Sequence, residues 1–205
     1  MAELGRIDKP SAGEFRGKRK LYCVASVYPL KEAPEEYGEL VARYWEESSR
    51  QTEKLEASGA VRKIFCESIY AEGEKALEAL ETVNALAHRM VKKRVEAGAA
   101  FLPLESREIF GPFLDWANCL NVVRTEEVFS TVFGFYNELL QKRLARAAEV
   151  IDQNLEAEEA GLLILRDEDR VRLQFPPDIE VFLVTPPSYD DIARWLREKM
   201  GSLRG

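Results

Sequence analysis

The chain has 205 residues, 46% of them apolar and 32% charged. That is enough material for one packed domain, and it excludes the disordered, collagen-like and low-complexity classes. With 29 basic against 36 acidic residues, a formal net charge of −7 and a pI near 5.1, the chain lacks the basic footprint a nucleic-acid partner requires.

Residues 1–18 are polar and punctuated by Gly5, Pro10, Gly13 and Gly17. They read as a flexible arm without the apolar stretch of a secretory signal. Residues 19–205 read as a single α/β domain. No apolar run approaches the ~20 residues of a membrane span; the longest, 97–104, carries Gly98 and Pro103. Cys23, Cys66 and Cys119 are scattered among apolar neighbours and read as buried free thiols. These features together place the protein in a reducing cytoplasm, with no membrane partner.

Along the chain the hydrophobic period alternates between two and 3.6 residues. A β-rich run over 21–28 ends at Pro29. Pro34, Glu35 and Glu36 then open a helix whose apolar side carries Tyr37, Val41, Tyr44 and Trp45, and Gly59 closes it. Residues 61–70 predict a second strand, and 74–95 one long helix stopped by Gly98. A short third strand over 99–104 contains Pro103, which predicts an edge or strand-end position. Gly111-Pro112 opens a helix through Leu120, and Thr125 caps a longer one. That helix keeps helical spacing as far as Leu155, ~46 Å if Gly134 does not bend it. Residues 161–165 and 179–184 predict the fourth and fifth strands, with a turn at 167–169. Pro186, Pro187 and Ser188 introduce a last helix.

The expected fold is therefore α/β and layered: a mostly parallel sheet of about five strands flanked by helices, with one long helix before the fourth strand. Helical crossovers between apolar strands are the pattern of parallel pairing with both faces covered.

The negative chemistry is informative. His88 is the only histidine, no C-x-x-C pair occurs, and neither phosphate-binding glycine fingerprint is present. No metal and no cofactor are expected. Cys66 has a carboxylate beside it and no basic partner, so it reads as inert. Lys18-Arg19-Lys20 reads as the solvated approach to the first strand. Phe129, Phe133, Phe135 and Tyr136 sit at helical spacing and read as core.

Glu67 interrupts an apolar run inside the second predicted strand. A carboxylate there must face a cleft or find a partner. Glu105 and Arg107 follow the third strand, Arg166 follows the fourth, and Tyr28 ends the first. In open α/β sheets ligands bind beyond the carboxyl ends of the strands. Tyr28, Glu67, Glu105, Arg107 and Arg166 are accordingly the candidate ligand-binding residues, with Arg107 or Arg166 neutralising the two acids.

The segment Arg143–Val184 contains RLARAAEVIDQNLEAEEAGLLIL and then PPDIEV. It resembles the C-terminal part of a group of uncharacterised prokaryotic α/β proteins, in which a long helix runs into an E-x-G-x-L-x-[FIL] strand and then a P-x-D-I-x-V strand. Members typically carry a Gly and a His after the first of these strands, where Arg166, Asp167 and Glu168 stand here. The resemblance implies the fold and no activity. The sequence therefore points to a non-enzymatic module that binds a small molecule or a protein. The alternative is a carboxylate-based hydrolase or transferase at the C-terminal edge of the sheet. A homodimer is expected from the wide apolar stripe of the long helix.

Overall fold

The computed structural model describes residues 17–30 and 32–202. The arm expected over 1–18 thus lies outside the described residues except for Gly17 and Lys18. Among the described residues five strands form one parallel sheet. They are β1 (Arg19–Ala25), β2 (Val61–Cys66), β3 (Ala100–Pro103), β4 (Ala160–Leu165) and β5 (Ile179–Val184), in the spatial order β3-β2-β4-β1-β5. The layered α/β expectation holds, and Pro103 ends the edge strand β3.

The helices are α1 (Glu35–Leu55), α2 (Gly73–Val83), α3 (Ala85–Glu96), α4 (Arg107–Leu120), α5 (Glu126–Asn154), α6 (Asp167–Arg170) and α7 (Pro187–Ser202). Strand side chains alternate between two faces. Tyr22, Val24, Ile64, Leu162 and Ile164 pack under α1, with Val41, Tyr44 and Trp45, and under α3. Leu21, Cys23, Phe65 and Leu163 face α5 through Ala147 and Ile151. All six residues of β4 are buried. Each large apolar side chain so placed contributes about 1.5–3 kcal/mol. Gly161 of β4 is required by this packing: a Cβ there would meet Leu21 Cδ1 at 3.1 Å and Phe65 Cε2 at 3.3 Å.

Several boundaries differ from the sequence expectation, each for a local reason. The helix expected over 74–95 breaks at Asn84, whose φ of −155° is extended. Its buried carboxamide accepts from Ala87 N at 3.1 Å and donates to Val27 O at 2.9 Å. Capping α3 while tying down the loop after β1 outweighs the continuing helix. Helix α4 starts at Arg107, before Gly111-Pro112, because Ile109 and Phe110 donate to Ser106 O. Pro112 is left in the helix interior. The turn expected at 167–169 is one helical turn, α6, which brings Asp169 and Arg170 under cover.

The run Lys18-Arg19-Lys20 is engaged. Arg19 Nε lies 2.7 Å from Asp178 Oδ2 and its Nη2 lies 2.7 Å from Asp152 Oδ1, binding β1 to β5 and to the end of α5. Lys18 pairs with Glu180 at 2.9 Å. Phe129, Phe133 and Phe135, expected in the core, are 44–46% exposed, because α5 runs past the end of the sheet. Cys23 and Cys66 are buried as expected, whereas Cys119 is only partly so.

Candidate functional site

Strand β2 ends at Cys66, one residue short of Glu67, so the carboxylate is at the strand tip rather than inside the sheet. The Glu67 N–H still donates to Ile164 O at 2.9 Å, extending the ladder one step. The next residue, Ser68, has a φ of 65°. This left-handed conformation costs a residue with a side chain about 1–2 kcal/mol. It turns the chain sharply, and Ile69 O then accepts from Glu105 N at 3.1 Å. That hydrogen bond sets Glu67 and Glu105 side by side at the tips of adjacent parallel strands.

Both carboxylates converge on one guanidinium. Arg143 of α5 is 3% exposed, Glu67 2%, Glu105 4% and Asp169 3%. Arg143 Nη2 lies 2.6 Å from Glu105 Oε1 and 3.4 Å from Glu67 Oε2. Its Nη1 donates to Asp169 Oδ2 at 2.6 Å. The guanidinium carbon sits 5.3 Å and 5.0 Å from the ring centres of Phe110 and Phe113. Burial disfavours the Arg143 charge, but the hydrogen bond and charge of Glu105, with the charges of Asp169 and Glu67, outweigh it and hold its pKa above the ordinary arginine value.

Arg166 closes the other side. Its backbone N–H donates to Glu67 Oε2 at 3.2 Å, and its side chain lies 3.5 Å from Glu67 and 3.2 Å from Asp169. Tyr28 donates its hydroxyl to Glu67 Oε1 at 3.1 Å. Burial first, and the Glu67 charge second, push the Tyr28 pKa up, so it stays a donor. Burial likewise raises the Cys66 thiol well above its ordinary value, with Glu67 and Glu105 adding to the effect.

Of the five residues expected from sequence, the structure brings Tyr28, Glu67, Glu105 and Arg166 together. Arg107 stands apart. Its guanidinium carbon lies 4.5 Å over the Tyr70 ring, and among the described residues it forms no ion pair. The principal neutralising cation is Arg143, which the sequence reading passed over, as it did Asp169. Arg143 carried a signal of the Glu67 kind: a charge on an apolar stripe, between Leu140 and Leu144.

Above the network lies a cleft between α4 and the chain following β2. Its inner part, about 210 Å³, is lined by Tyr28, Glu67, Phe113, Arg143 and Arg166, among others. Its outer part, about 620 Å³, adds Tyr70, Arg107 and Gly111. The two share Ser68, Val83, Phe110 and Leu114, so they form one cavity with an ionic floor and an apolar mouth. Among the described residues no three His, Cys, Asp or Glu side chains form a group that could hold a metal. No helix of the described residues is long and apolar enough to cross a membrane. No family model, curated protein or solved structure matches the chain.

Proposed function

We propose that this chain is a non-catalytic binding module whose cleft takes a small amphipathic molecule. The ligand class is an apolar body, seated against Val83, Phe110 and Leu114, carrying one carboxylate-like or sulfonate-like group that reaches Arg166. Both ion pairs of Arg166, at 3.5 and 3.2 Å, are long, and its side chain is 42% exposed, so its N–H donors can serve a ligand acceptor.

One observation carries the reading: Arg143 engages all three buried acids and lies beside an open apolar cavity. A general acid or base must be reachable by substrate; Glu105 and Asp169 do not line the cleft, and Glu67, which does, is held by Tyr28, Arg143 and Arg166. Ser68 lines the cleft, but a serine nucleophile needs a base. His88 is placed elsewhere, with its Nδ1 4.0 Å from Glu81. A hydrolase or transferase at this edge is therefore the less supported alternative.

A fluorescence titration with 1-anilinonaphthalene-8-sulfonate, a probe of the stated class, tests the reading. Saturable one-to-one binding is expected, weakened at least tenfold by Leu114→Asp and by Val83→Asp, both at exposed positions. Non-saturable binding, or binding that both variants leave unchanged, would refute it.

A further inference from the structure

Helix α5 reaches the strand tips at Arg143, so the residues before it run on beyond the sheet edge for about 25 Å. Helix α4 runs antiparallel beside this extension: Trp116 stacks on Phe135, Phe113 on Tyr136, and Phe110 lies beside Arg143. The apolar stripe of α5 does not stop where the sheet stops. Leu140, Ala147 and Ile151 are buried, and Phe133 and Phe129 continue the same side of the helix outward while 44% exposed.

The rings form a continuous ladder. Phe110 to Phe113, Phe113 to Tyr136, Tyr136 to Phe133 and Phe133 to Phe129 have centroid separations of 6.1, 5.0, 6.3 and 5.7 Å. At its inner end the ladder meets the cleft, where Leu114, Val83 and Tyr70 are each between 43 and 47% exposed. The exposed apolar band is on the order of 400 Å², at the scale that marks interaction surfaces.

We infer that this band is a twofold interface with a second copy of the same chain, the two α4–α5 hairpins lying antiparallel. The charges at its ends support that occupant. The tip carries Glu126 and Glu127 in the first turn of α5, with Arg124 just before them, and the base carries Arg107 beside Glu108; among the described residues Arg107 forms no ion pair. Phe113 lies level with Tyr136 and Trp116 with Phe135, so Arg107, nearer the start of the antiparallel helix, lies level with the residues near 142–144. A twofold axis near Phe135 sets Glu126, about 13 Å before it, against the level about 13 Å after it. Each Glu126 then meets Arg107 of the other copy. The same register sets Phe129 over the cleft mouth of the other copy, as a roof the isolated chain lacks.

Two such bands bury on the order of 800 Å² together, and polar rims must supply the remainder of the ~1,000 Å² expected of a specific interface. Glu126 and Glu127 at the tip, and the net charge of −7, argue against an anionic membrane surface as the occupant. The inference goes beyond the ligand reading, because it concerns mass and needs no ligand.

Light scattering of the full chain between 5 and 100 μM tests it. Twice the chain mass of 23.4 kDa is expected. The pair Phe129→Ser and Phe133→Ser, at exposed positions, should give the monomer mass with an unchanged far-ultraviolet spectrum. Glu126→Arg alone and Arg107→Glu alone should each weaken the dimer about tenfold, and combining them should restore it to within twofold. A monomer at 100 μM overturns the inference, as does a dimer that the phenylalanine variants leave intact. Failure of the combined charge swap to restore association overturns the register and the interface with it. A monomer that floats with phosphatidylcholine vesicles would assign the band to lipid instead.

Discussion

Arg143 Nε donates to Glu105 Oε1 at 2.8 Å across 38 positions of sequence, joining the middle of the longest helix to the tip of the edge strand. The pair is buried, and through Arg143 it holds Glu67 and Asp169 as well. Such a cluster costs desolvation free energy that only good geometry offsets, and removing one member leaves an uncompensated charge. It fixes where α5 crosses the strand tips, and so fixes the floor of the cleft.

Glu67→Gln should lower stability by about 1–2 kcal/mol, above the ±0.5 kcal/mol of ordinary surface changes. The amide keeps the size of the side chain but no longer neutralises Arg166 and Arg143. Urea unfolding followed by tryptophan fluorescence measures the shift, and an unchanged midpoint would place Glu67 outside the network.

Asn84→Ala should cost about 2 kcal/mol, more than an exposed cap. It removes the cap on α3 and leaves Val27 O, which also accepts from Trp45 Nε1 at 3.0 Å, with one donor fewer. Amide hydrogen exchange should show faster opening at the start of α3 and in the loop after β1. Loss at only one of the two would separate the roles.

The buried thiols make alkaline stability a test of the packing. Burial pushes Cys23 up to about 12 from an ordinary value of 9.0, and Cys66 is also pushed up. Well below pH 9 both states hold these protons. As pH rises from about 9 towards 12, the unfolded chain releases them and the folded chain does not, so stability falls by up to ~1.4 kcal/mol per pH unit for each thiol. Urea midpoints taken from pH 8 to 10.5 should fall, and Cys23→Ala should flatten the slope. With a thiol reagent at pH 8, only Cys119 of the native protein should react quickly.

The layers were legible from period alone, because apolar strands separated by helices have few alternatives. Positions set by a single polar side chain were not. Asn84 looks like any helical asparagine until Val27 O is opposite it, and Ser106 gives no sign that it will start α4 ahead of Pro112. At the site, the strand-end rule located Tyr28, Glu67, Glu105 and Arg166. It could not reach Arg143, which arrives from the helix and not from a strand end. Phe129 and Phe133 have core spacing, and only the length of α5 relative to the strands shows that their segment leaves the core.

The stability of Arg143→Ala against pH tests most directly whether this arginine is the cation that neutralises the buried acids. A loss of about 3–5 kcal/mol at pH 7 is expected. Without Arg143 the buried carboxyls would take up protons more readily folded than unfolded, so the variant should recover stability as pH falls from 7 towards 5. A loss below about 0.5 kcal/mol, or one that does not shrink towards pH 5, would contradict the account and return the three acids to the list of groups free to act on a substrate.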